Sequence, residues 1–186
     1  MSTLAEHMIA PGATHGEMIA ALAVGITGAA TVSALAVDAG LDWWRIAVIV
    51  FVAFDIFGGV VVNATASAKR RYHGPGRDAR HHLGFVAIHL QPFLLAWAVP
   101  GFGWAPAAAI YLLALLGGVI VTSTPLSLRR PVAYGVTAIG VLAATSLLTV
   151  PPPAAWFAPV LLIKLLLAHL LPEEAAQPGN GRAATT

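Results

Sequence analysis

Six apolar runs, each close to the length needed to cross a bilayer, alternate along this chain with short polar or turn-forming segments. They fall at about 18–37, 45–67, 82–99, 104–123, 132–150 and 153–171, with ends uncertain by a few residues. None alternates polar with apolar positions as a membrane strand would. The pattern predicts an all-α, polytopic integral membrane helical bundle over residues 18–171, with about six transmembrane helices. Several connections are tight: DAGLDWWR, PGFGW and PPP. Residues 1–17 read as a polar N-terminal tail and 172–186 as a flexible tail of disorder-like composition.

Composition agrees. The 186 residues are 58% hydrophobic and only 10% charged, against about 25% charged in soluble domains. With no cysteine, disulfides, thiolate metal sites and cysteine nucleophiles are excluded. The first 17 residues carry no Lys or Arg, which argues against a cleaved signal peptide.

Charge adds orientation. Lys69, Arg70, Arg71, Arg77 and Arg80 lie between the second and third runs; Arg129 and Arg130 lie between the fourth and fifth; Arg182 is in the C-terminal tail. Arg45 stands alone at the other face. The positive-inside rule puts both termini in the cytoplasm, in a cell membrane of the bacterial cytoplasmic kind. Trp43, Trp44, Trp97, Trp104 and Trp156 then mark the outer ends of spans, and all seven His fall on or toward the cytoplasmic side. The basic loop 69–82 is expected to meet anionic lipid headgroups, at about 1 kcal/mol per charge. It is too short and too close to the bilayer to suggest nucleic acid, and YHGPGR lacks the GK[ST] of a phosphate loop. Small residues line the first and fifth runs, Gly140 and Ala144 among them. They suit close helix packing, within the bundle or in a homo-oligomer.

Two segments resemble each other. GGVVVNATASAKRR (58–71) aligns without gaps to GGVIVTSTPLSLRR (117–130), with seven of 14 positions identical. A parallel repeat of helical hairpins would give this, and so would chance matching of low-complexity apolar sequence. In a repeat, Asp55 would pair with Ala114 and Asn63 with Thr122.

The chemistry is concentrated in the second and third runs. Asp55 lies near mid-span, where an ionised carboxylate costs about 2.5–3.5 kcal/mol or more unless paired or hydrated. Asp55, Gly59 and Asn63 recur every fourth residue and share one helix face. Gly59 leaves room there for a helix, a water or a ligand. His89 and Asn63 lie about 10 and 7 Å from the cytoplasmic end and share a depth. Pro92 removes a backbone donor, frees the Ile88 carbonyl and predicts a kink beside His89 and Gln91. Lys164 either snorkels to the headgroups or serves as counter-charge to Asp55, from which it differs in depth by about 9 Å. Asp55, Asn63, His89, Gln91 and Lys164 are therefore the candidate solute- or ion-binding set. His82 and His89, seven apart on one face, are the most metal-like pair, but no HxxxH, HxxH or HExxH is present.

These residues point first to a small transporter or channel-like protein that handles an ion, proton or small solute in a polar cavity, with the balance against an enzyme and no cofactor expected beyond a metal ion at the histidines. The alternatives are a lipid-acting membrane enzyme, using the cytoplasmic-side histidines as metal ligands or acid/base, and a non-catalytic subunit or assembly factor.

Overall fold

The computed structural model describes residues 4–172, and every described regular element is helical. In chain order these are α1 (Leu4–Met8), α2 (His15–Asp38), α3 (Trp43–Ala64), α4 (Ala66–Tyr72), α5 (Ala79–Ala87), α6 (Gln91–Ala98), α7 (Trp104–Ser123), α8 (Leu126–Ser146) and α9 (Phe157–Leu162). A 3-10 turn, Pro152–Ala154, precedes α9, and α9 continues as a π-helix over Ile163–His169.

Among the described residues four helices, not six, are long and apolar enough to cross a membrane: α2, α3, α7 and the composite Pro152–His169. The other two expected spans fail for identifiable reasons. The run at 82–99 is split into α5 and α6 by the non-helical residues 88–90. The run at 132–150 belongs to a helix of 21 residues, α8, whose first two turns carry Arg129, Arg130 and Pro131. The chain is nonetheless an all-α bundle with several long hydrophobic helices, the architecture of a multi-pass membrane protein. Ile19, Ile26, Leu112, Leu116, Ile139 and Leu142 are exposed around its periphery. In water so broad an apolar surface is a liability; against acyl chains it is the natural outer face.

The core runs between α3 and the last helix. Ile49, Val52 and Ile56 of α3 and Phe157, Leu161, Leu162, Leu165 and Leu166 are fully or almost fully buried. α2 packs along α3 more extensively than any other pair. Its contact is built from small residues, which let membrane helices approach closely. A Cβ on Gly58 would lie 3.4 Å from the Ala21 carbonyl oxygen, and one on Gly25 3.1 Å from the Phe54 ring.

The N-terminal segment is more ordered than a polar tail. Ala5, Ile9 and Ala10 are buried, and Ile9 and Ala10 pack with Ala68. Thr14 and Glu17 form a reciprocal capping box at the start of α2. Glu17 also accepts from the Ser67 amide and hydroxyl, at 3.2 Å each, tying α2 to α4. The expected tail from Glu173 onward, with Arg182, lies outside the described residues.

The two similar segments break their helices at aligned positions. α3 ends at Ala64 with extended Thr65, and α7 ends at Ser123 with extended Thr124. The Thr65 amide donates to Val62 O at 3.1 Å, and the Thr124 amide to Val121 O at 3.3 Å. Beyond the break the two segments diverge: α4 has seven residues and α8 has 21.

Candidate functional site

Beside α3 lies a cavity of about 440 Å³, lined by Asp55, Asn63, His89, Gln91 and Lys164 together with apolar and aromatic side chains. All five residues of the candidate solute-binding set therefore line one cavity. Tyr72, Ile9 and Met18 close it toward the end that bears the basic loop.

Asp55 is the centre of the polar wall. Its Oδ2 accepts from Gln91 Nε2 at 3.0 Å and from Lys164 Nζ at 3.1 Å. Lys164 Nζ also donates to the Asp55 carbonyl at 3.2 Å. The Asp55 side chain is 43% exposed, toward the cavity, and that of Lys164 only 4%. Lys164 thus pairs directly with Asp55 instead of snorkelling outward. The difference in depth is bridged by the length of the lysine stem, and Gly59 provides its path. A Cβ at Gly59 would lie 2.6 Å from Nζ and closer still to Cε. The stem runs over the bare glycine one turn below Asp55.

Gln91 and His89 reach the wall because the third run is broken. α5 ends at Ala87, and α6 restarts at Gln91 with Pro92 in its first turn, where a missing N–H costs nothing. The break lies just before Pro92, and the Ile88 carbonyl is not left free: the Leu90 amide donates to it at 2.9 Å. Two other carbonyls at the end of α5 are met by side chains. His89 Nδ1 donates to Phe85 O at 2.7 Å, and Tyr111 Oη donates to Ala87 O at 2.8 Å. This is how non-helical backbone persists at membrane depth. Because a carbonyl only accepts, His89 carries a proton on Nδ1, and in the neutral imidazole Nε2 is then an acceptor. Asn63 is 4% exposed; among the described residues its Nδ2 is buried without a partner, as is Gln91 Oε1.

His82 and His89 do not share a helix face. The break at 88–90 destroys the common helix face on which seven-residue spacing relied. His82 Nδ1 instead lies 3.3 Å from His169 Nε2, while His89 turns to Phe85 and the cavity. Sequence spacing gave no sign of the cluster that does form: His73 stacks on His82 with ring centroids 4.5 Å apart, and His169 stacks on Phe85 at 3.9 Å. These residues come from the ends of α4, α5 and the last helix, and only their common end of the bundle was visible. Among the described residues no group of three or more His, Asp or Glu is arranged to hold a metal ion. Burial pushes the His73 imidazole down to about 4, with nearby His82, Lys69 and Arg129 acting the same way and the His169 carbonyl opposing.

The basic loop divides. Arg70, Arg71, Arg77 and Arg80 are exposed. Lys69 is buried, and its ammonium donates to the carbonyls of Ala168 and Leu171. It holds the carboxyl end of the last helix, where orphan carbonyls and the helix dipole favour a cation. Arg129 does the same for α7, donating to Thr122 O and Thr124 O at 3.2 Å each. At the other end of the bundle Arg45 donates to Ala98 O at 2.8 Å and lies over the Trp44 ring. Trp43, Trp97 and Trp104 are exposed at helix ends there, whereas Trp156 turns inward onto Phe57, with centroids 5.5 Å apart.

No protein-family model matches this chain, nor does any curated protein or solved structure.

Proposed function

We propose that this multi-pass membrane protein is a small transporter, with the α3 cavity as its binding site for a cationic or small polar solute. The observation that supports the reading is the state of Asp55. Its Oδ2 is held by Gln91 and Lys164, while Oδ1 has no hydrogen-bond partner among the described residues and the side chain stands half-open to the cavity. A solute that donates to this carboxylate competes with Lys164 for it. The exchange of one cation for the other is the step that gives transport.

The same reading counts six crossings: α2, α3, the broken pair α5–α6, α7, α8 and the composite last helix. Both termini would lie in the cytoplasm, beside the basic loop. Arg70, Arg71, Arg77 and Arg80 would then meet headgroup phosphates, each contributing about 1 kcal/mol at most. Nothing in the geometry of the histidine cluster favours a lipid-acting enzyme over this reading.

The test is flux in reconstituted vesicles. Wild-type protein should carry protons, monovalent cations or small amines down an imposed gradient. Asp55→Asn, checked for folding by its elution in detergent, should not. Equal flux through both proteins removes Asp55 from the mechanism.

A further inference from the structure

We infer that the solute recognised by this cavity is an organic ammonium ion, a protonated amine with an apolar body, and not a bare inorganic cation or a neutral lipid. The inference rests on the reading of the cavity as a cation or solute site and names the class of solute.

Three observations carry it. The first is the balance of donors and acceptors. The wall offers Asp55 Oδ1, with no partner among the described residues, and His89 Nε2, left as an acceptor by the bond from Nδ1 to Phe85 O. The amide of Asn63, more than nine-tenths buried and with its nitrogen unbonded, stands beside them. Its oxygen and nitrogen exchange places by a simple flip. Lys164 Nζ and Gln91 Nε2 both donate to Asp55, and Gln91 Oε1 is a further buried acceptor without a partner among the described residues. The open acceptors, on Asp55, His89 and Gln91, are ones that N–H donors would meet, and the Asn63 amide can meet either a donor or an acceptor.

The second is size. A cavity of about 440 Å³ is more than ten times the share of one water in the liquid, about 30 Å³. It falls within the range of small organic ligands, about 300–1,000 Å³. A hard cation such as Ca²⁺ needs about six to eight oxygen ligands, and the side-chain oxygens lining the cavity are those of Asp55, Asn63, Gln91 and Tyr72.

The third is the aromatic part of the lining. Phe54, Tyr72 and Phe85 face the same space, with Tyr72 and Phe85 centroids 5.6 Å apart. Aromatic faces attract ammonium groups and cover apolar carbon. A neutral lipid headgroup would leave the Asp55 carboxylate without a counter-charge whenever it displaced Lys164; an ammonium replaces like with like.

Isothermal titration of the full chain in detergent tests this, with blank micelles as reference. The ligands are phenethylammonium chloride, its neutral isostere 2-phenylethanol, NaCl and KCl. Phenethylammonium should bind, with 2-phenylethanol at least about tenfold weaker, a difference of about 1.4 kcal/mol. Asp55→Asn should abolish the binding. Lys164→Gln should tighten it, because the competing ammonium is gone. The wild-type contrasts decide the question even if a variant fails to fold. Binding of Na⁺ or K⁺ without phenethylammonium overturns the organic class and leaves the cation site standing. Equal binding of 2-phenylethanol overturns recognition by charge. No binding of any of the four ligands removes both the inference and the reading on which it rests.

Discussion

A single missing side chain decides how the polar wall is built. Gly59 lets the Lys164 stem cross α3, so an alanine there must push the ammonium away from Asp55. Gly59→Ala should destabilise the protein by about 1–3 kcal/mol through overpacking, read as a lower thermal midpoint in detergent. Removing one member of the pair should cost more. Lys164→Gln should lose about 3 kcal/mol, the low end for breaking a buried ion pair, because Asp55 is half-open to the cavity. In a cycle with Lys164→Ala, which removes the stem, Gly59→Ala should cost little further; strict additivity there would mean the two do not interact. His73 gives a pH signature outside the membrane. Its folded value is about 4 against 6.5 for the free side chain. Above pH 6.5 it is neutral in both states and contributes nothing to pH dependence. As pH falls from 6.5 toward 4 the unfolded chain takes up the proton first, so the contribution of His73 to stability declines across that window and levels off below it. His73→Gln should flatten that decline, and an unchanged slope would assign it to other groups. At this scale the sequence was informative. Asp55, Gly59 and Asn63 share a face, and the free space at Gly59 could be read from spacing alone. What filled that space could not, because a lysine stem can lie along either direction of its helix.

The broken helix and the π-helix set where the side chains end up. Pro92 announced an interruption, but its consequence was misjudged: the freed carbonyls are those at the end of α5, and His89 and Tyr111 meet them. Tyr111→Phe should leave Ala87 O unpaired and cost about 0.6–1.7 kcal/mol, the range for hydrogen bonds between membrane helices, visible as a shift in unfolding midpoint. No shift would mean that water takes over the bond. The π-helix at Ile163–His169 left no trace in hydropathy. It places Lys164 and His169 inside the bundle, 3% and 2% exposed. Such widened turns recur at functional sites. His82 and His89 lose their common face for the same reason, since periodicity holds only while the helix does. The histidine cluster, drawn from three separate elements, lay beyond any reading of spacing.

Over the whole molecule the all-α class and the hydrophobic bundle were legible, because lipid admits few alternatives. The number of crossings was less so. Hydropathy counts apolar residues and cannot register that one run bends at 88–90 or that another begins with two arginines and a proline. The absence of cysteine makes topology simple to test. With six crossings, Arg77→Cys should be labelled by an impermeant maleimide from the cytoplasmic side and Pro100→Cys from the opposite side. Labelling of both from one side would reduce the broken segment to a re-entrant turn. The central question is whether the wall at Asp55 borders a space that water and solute enter. Single cysteines at Val62→Cys, on the cavity, and Ile56→Cys, in the sealed core of the same helix, would be treated with a small methanethiosulfonate reagent in reconstituted vesicles. Val62→Cys should be modified rapidly, and more slowly with phenethylammonium present, while Ile56→Cys should not react. Equal protection of both positions would mean that the cavity is closed to water and that Asp55, Asn63 and Lys164 are structural residues of the bundle.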